Sequence, residues 1–225
     1  MTKFEKIIEL LKEDSFFDDY TFRKRDSSFV HKFEGGERRI EFRKWTDFIA
    51  MSVEPQFAVR FDFVHKWFEK FSFKTLRDQR DDCTVGGWTR KYGCFPVYNF
   101  KHDGNNFLEE FNKLKETIKI CAGQFFNEYR TPEDVYVRDI LPILEGRAEL
   151  PGSGADWLFC YLTICKVVAP ENYDRLKAMS IEQAKVLVSR KYPEPNMERY
   201  YDRLDEILGY LDSLSVDDLM KKRLK

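Results

Sequence analysis

Apolar residues first recur at helical spacing: Phe4, Ile7, Ile8 and Leu11 share one face, and Thr2-x-x-Glu5 ahead of them has the form of a capping box. One short helix over about residues 2–14 is expected. The period then shortens to two. Tyr20 and Phe22 alternate with Thr21, Arg23 and Arg25; Phe29, His31 and Phe33 with Val30 and Lys32; Ile40 and Phe42 with Arg39, Glu41 and Arg43. Ile49, Met51 and Val53 continue the alternation after a Trp45-Thr46-Asp47 turn, and Asp26-Ser27-Ser28 and Gly35-Gly36 carry hairpin chemistry. Residues 20–54 therefore read as an antiparallel meander of four strands, ended by Pro55.

Beyond Pro55, Phe61, Val64, Phe68 and Phe71 have helix spacing, although Phe57, Val59, Phe61 and Phe63 also alternate. The expectation is a short strand or turn and then a helix over about 60–71. Residues 76–93 read as a loop with one short strand, and Cys94–Phe100 as an edge strand, where Pro96 is tolerated. After Gly104 the period is helical, with a stripe of Phe107, Phe111, Leu114, Ile118, Cys121 and Phe125. Thr131-Pro132-Glu133-Asp134 is a helix start, and Ser153-x-x-Asp156, Ser180-x-x-Gln183 and Ser215-x-x-Asp218 have capping form. The stretch Asp156–Val168 is apolar nearly all round and is expected at the centre of the helical part. Leu150–Gly154 is the best linker candidate.

Helix, strands and then helices define an α+β fold: an N-terminal helix and antiparallel meander over 1–103, then a helical half over 104–225. The two are read as packing into one unit, because a lone four-stranded sheet has too little surface to bury so many aromatics. The chain has 225 residues, 21 of them Phe, 11 Tyr and 4 Trp, which excludes a disordered or low-complexity protein. Net charge is −1, so no global field points to nucleic acid or a membrane. Five scattered cysteines do not suit a disulfide framework, and no apolar h-region or span of ~20 apolar residues is present, so a reduced cytoplasmic protein is expected.

Candidate chemistry is sparse. No C-x-x-C or H-x₃₋₅-H spacing suggests zinc, and no phosphate-binding or dinucleotide glycine motif or G-x-S-x-G elbow occurs, so neither catalytic, cofactor-binding nor metal-ligating residues are assigned. A dyad of Cys94 with His31 or His65 is the one enzyme alternative. Eight carboxylates crowd Glu194–Asp218 against Arg199 and Arg203, just before the basic end Lys221–Lys225. On one helix, Glu198, Asp202, Asp205 and Asp212 would share a face, with Glu206 beside them, opposite Tyr201, Leu204, Ile207, Leu208 and Leu211. Such a face suits solvent, or a basic protein partner. Trp88, Arg90 and Tyr92 sit in a glycine-containing loop and are of the types that dominate interfaces. Arg23, Arg25, Arg39 and Arg43 share the outer sheet face and offer a nucleic-acid alternative, weakened because the aromatics occupy the other face.

Ile8-x-x-Leu11-Lys12, Phe16-Phe17, Tyr20–Arg25 and Ile40-Glu41-Phe42 resemble small uncharacterised bacterial proteins that begin with a helix and continue in a β-meander. Some of these act as immunity partners of toxins. The resemblance covers less than half the chain and implies a non-enzymatic, cytoplasmic, protein-binding module. The nucleic-acid binder and the Cys/His enzyme stay open beside it.

Overall fold

Thr2 and Glu5 form the expected reciprocal cap, each side chain taking the other residue's amide, and start α1 (Lys3–Lys12), which buries Phe4, Ile7, Ile8 and Leu11. The computed structural model describes residues 1–151, 156–191 and 196–221. After α1 come β1 (Thr21–Arg23), β2 (Ser28–Phe33), β3 (Gly36–Thr46), β4 (Ala50–Phe61), α2 (Asp62–Lys66), α3 (Leu76–Asp81), β5 (Val85–Trp88) and β6 (Tyr98–Lys101). Then follow α4 (Phe107–Glu128), α5 (Pro132–Val135), α6 (Leu141–Leu144), α7 (Asp156–Val168), α8 (Tyr173–Val188), α9 (Met197–Asp202), α10 (Leu204–Ser213) and α11 (Val216–Lys221). The fold is α+β, with a six-stranded antiparallel sheet.

These elements form two compact units, Met1–Arg60 with Val85–Tyr129 and Phe61–Thr84 with Arg130–Lys225, each drawing on chain from both sides of residue 84. In the first, the sheet runs β1-β2-β3-β4, and the far side of β4 pairs with β6 along Ala50–Val53 and with β5 along Gln56–Val59. α1 and α4 cover one face. Phe4 meets Phe42 edge-on at 6.1 Å, Phe57 meets Phe125 at 6.0 Å, and Phe100 meets Phe107 at 5.5 Å. The hairpin glycines divide the work. Gly35 takes φ 79°, while a Cβ on Gly36 would lie 2.1 Å from the Arg60 carbonyl oxygen.

Pro55 does not end the meander, because β4 runs through it to Phe61. The residue falls where β4 changes partner, between Val53↔Tyr98 and Gln56↔Trp88, and neither strand pairs with it there. The alternation of Phe57, Val59 and Phe61 is therefore strand alternation, and the helix expected over 60–71 shrinks to Asp62–Lys66 followed by turns. The loop of 76–93 also holds the short α3 and a 3₁₀ turn at Thr89–Tyr92.

In the second unit α7 buries Leu158 to Cys160 and Leu162 to Cys165 and packs against α2, α5, α8 and α11. The fully buried Trp67 donates its indole N–H to Thr163 Oγ1 at 2.9 Å. Thr131 and Asp134 form the cap that starts α5. Four residues into that helix segment, a π turn at Tyr136–Ile140 widens the coil just ahead of Pro142, whose ring would otherwise crowd the carbonyl four residues back. Ser215 and Asp218 cap α11 as expected. Ser180 is no cap: it is buried within α8, where no helix begins. Ser153, most of the Leu150–Gly154 linker, Glu194 and the basic residues 222–225 lie outside the described residues.

Candidate functional site

Strand alternation decides which side chains face away from α4. Phe57 and its partner Gly87 face the helix, since a Cβ on Gly87 would sit 2.5 Å from the Phe125 ring. Their neighbours Gln56 and Trp88, also paired, face outward. On β3, Phe42 packs beneath α1 and so Arg43 and Trp45 point outward too. The Arg43 guanidinium lies 6.0 Å from the Trp88 ring centroid. Arg43, Glu54, Trp88, Arg90 and Lys91 line a depression of about 460 Å³. Aromatic and cationic groups thus share this face, which corrects the expectation that all aromatics lie on the other side.

Trp45 is 45% exposed and Trp88 48%. Among the described residues, neither Arg43 nor Arg90 meets a carboxylate, whereas Lys91 is held by Glu128 at 2.7 Å and Tyr92 donates to the same carboxylate at 3.2 Å. Just past Trp45 along the chain, the β3–β4 hairpin tip presents Phe48, 103% exposed, and Ile49. The tip is ordered by Asp47, whose Oδ1 accepts the amides of Ile49 at 2.7 Å and Ala50 at 2.9 Å. Those amides hold its carboxyl below the usual carboxylate range. His102 clasps the turn from β6, its ring on the Asp47 carbonyl at 2.8 Å and its amide on the Ile49 carbonyl at 3.0 Å. Ile49 and the exposed Phe95 line a second, open cleft of about 840 Å³ floored by Tyr98. As surface groups, Trp45, Phe48 and Ile49 escape the sequence reading, which places Trp45 in a turn and Ile49 in the strand after it. The available signal is three large apolar residues in a five-residue segment where polar ones are expected.

The arginines proposed for nucleic acid separate. Arg39 is 1% exposed, with Glu41 at 3.1 Å and Glu37 at 3.5 Å, so it is not a surface group. Arg23 is paired with Asp26 at 2.5 Å and Glu37 at 3.5 Å. Only Arg25 and Arg43 of that set are exposed. Arg39 is held by carboxylates two residues to either side on its own strand, β3, a same-face row that composition alone does not reveal.

The acidic segment is not one helix. Arg203 leaves helical geometry, clasps Glu206 at 2.9 Å and lies over Phe71 and Phe73, so α9 and α10 are distinct. Asp212 receives Tyr173 Oη at 2.8 Å and Lys177 Nζ at 2.5 Å. Burial alone would raise its carboxyl, but these hydrogen bonds outweigh it and hold the group low. Glu198, Asp202 and Asp205 remain exposed, and among the described residues they have no ion-pair partner.

The histidines are engaged elsewhere. His31 packs tilted against Tyr20 at 5.5 Å, His65 meets Thr84 Oγ1 at 3.0 Å, and His102 serves the hairpin. Cys94 donates to the Tyr92 carbonyl at 3.8 Å. Among the described residues no three His, Cys, Asp or Glu side chains are grouped to hold a metal ion, and no helix is long and apolar enough to cross a membrane. The chain matches no protein-family model, and neither curated proteins nor solved structures yield a significant match.

Proposed function

We propose that the protein is a non-enzymatic binding module that recognises another protein through the outer face of its first unit, centred on Arg43, Trp45, Trp88 and Arg90. The observation that carries this reading is the grouping of the half-exposed Trp88 with two exposed arginines, Arg43 and Arg90, that have no acidic partner among the described residues, the half-exposed Trp45 lying two residues from Arg43 on the same face of β3. Trp and Arg dominate interface energetics, and exposed apolar surface of this kind marks interaction sites. Phe48, Ile49 and Phe95 extend the apolar area around the hairpin tip. The resemblance of residues 1–100 to immunity-type bacterial proteins narrows the partner class to a toxin, and a cytoplasmic setting accords with it. Glu198, Asp202 and Asp205 on the second unit form a separate, weaker candidate surface for a basic partner.

The test is co-purification of tagged protein from cells of its source, with nuclease treatment. Wild type is compared with the Trp45→Ala, Trp88→Ala double variant and with the Glu198→Gln, Asp202→Asn, Asp205→Asn triple variant. A stoichiometric protein lost from the double variant and kept by the triple variant supports the face. Loss from the triple variant alone moves the site to the acidic surface. A companion that disappears with nuclease favours nucleic acid.

A further inference from the structure

The outer face also has a sign. Arg43 lies 6.0 Å from the Trp88 ring centroid and Arg90 lines the same depression, where Glu54 is the one carboxylate among the lining residues. The third cation, Lys91, is already neutralised by Glu128. Two arginines exposed beside an indole have geometry for an anionic group lying across the ring, because guanidinium forks bind carboxylates in pairs of hydrogen bonds. Farther along the sheet the charge turns negative: Asp26, Glu37 and Glu41 surround Arg23 and Arg39. A nucleic-acid strand needs a continuous track of cations along its phosphates, and here that track would meet carboxylates within a few strands. A protein segment needs only one or two point contacts.

Resting on the binding face just proposed, we infer that its partner is acidic there: a protein segment whose Asp or Glu carboxylates bridge Arg43 and Arg90 across Trp88, with a neighbouring apolar side chain against Trp45. This reverses the sign of partner that the carboxylate-rich 198–212 segment suggests.

A random peptide library displayed on phage, panned on the full chain, provides the probe. Recovered peptides are then synthesised and titrated against wild type, Arg43→Gln, Arg90→Gln and Trp88→Ala, each checked for native circular dichroism. The expected result is enrichment of Asp and Glu beside a large apolar residue. Affinity should fall at least about tenfold in each arginine variant, and it should weaken with rising salt. Peptides lost on Trp88→Ala but indifferent to both arginine variants would overturn the acidic partner and leave the face standing. Peptides indifferent to Trp88→Ala as well, or no enrichment at all, would remove both. Displacement of the peptides by single-stranded poly(U), with the same sensitivity to Arg43→Gln, would overturn the inference in favour of a nucleic-acid ligand.

Discussion

Arg39→Met separates a buried structural arginine from a surface arginine available to phosphate. The side chain is 1% exposed and holds Glu41 at 3.1 Å and Glu37 at 3.5 Å. Methionine retains much of the apolar stem but removes this cation from both carboxylates, Glu37 keeping Arg23 at 3.5 Å. Removing one partner of a buried pair costs about 3–5 kcal/mol. Glu41 is 30% exposed and Glu37 13%, so part of the lost interaction is recovered by water, and about 3 kcal/mol is expected. For a chain of this size that corresponds to a fall in Tm of roughly 6–12 °C. Urea unfolding at neutral pH, followed by tryptophan fluorescence, should show an earlier midpoint with unchanged slope. Arg43→Met, at an exposed position, should stay within about 0.5 kcal/mol of wild type. Adding Glu37→Gln and Glu41→Gln to Arg39→Met should recover part of the loss, since the side chains that faced Arg39 are then uncharged. An Arg39→Met variant no less stable than Arg43→Met would refute the buried pairing with Glu37 and Glu41 and return Arg39 to the candidate phosphate contacts.

Other expectations follow from the packing and the titrating groups. Gly87→Ala places a methyl 2.5 Å from the fully buried Phe125 ring and should cost about 1–3 kcal/mol by overpacking; an unchanged urea midpoint would show that β5 does not sit against α4 at that position. Asp14 is held below the usual carboxylate range chiefly by the Lys119 hydrogen bond at 2.8 Å, which works against burial, with help from the Phe16 amide. Because its folded value lies below its unfolded one, its stabilisation is complete above about pH 4 and is lost as pH falls through the folded value. Asp14→Asn should therefore cost about 1 kcal/mol at neutral pH, with the gap to wild type closing in acid; a gap constant with pH would contradict that role. Cys83 and Cys94 are partly exposed while Cys121, Cys160 and Cys165 are buried, and burial pushes the Cys121 and Cys165 thiols up to about 12. A thiol-exchange reagent should modify two cysteines in the native protein and all five after unfolding, and rapid native reaction of Cys121 would disprove its enclosure.

Local chemistry makes much of the fold legible. Capping at Thr2, Thr131 and Ser215, the stripe from Phe107 to Phe125 and the alternation of Phe29, Ile40 and Phe42 each specify an element with short-range physics. The misreadings arise where a neighbour decides. Pro55 breaks a strand only if a partner needs its N–H, and the place where β4 changes from β6 to β5 is a property of the sheet. Alternation assigns Arg39 to the face opposite Ile40, but its burial comes from Glu37 and Glu41. Likewise Ser180 has the form of a cap, yet the helix around it continues through the position. The candidate site is half legible. Trp88 and Arg90 stand out by residue type within a loop, whereas their meeting with Arg43 requires the pairing of Gln56 with Trp88.

The most direct test of the binding face is titration calorimetry of the co-purified partner against wild type and Trp88→Ala. The indole is 48% exposed and supports little of the core, so the variant should fold normally and lose about 2 kcal/mol or more of binding, roughly thirtyfold in Kd. An unchanged Kd for Trp88→Ala, with the loss appearing instead in the Glu198→Gln, Asp202→Asn, Asp205→Asn variant, would contradict it.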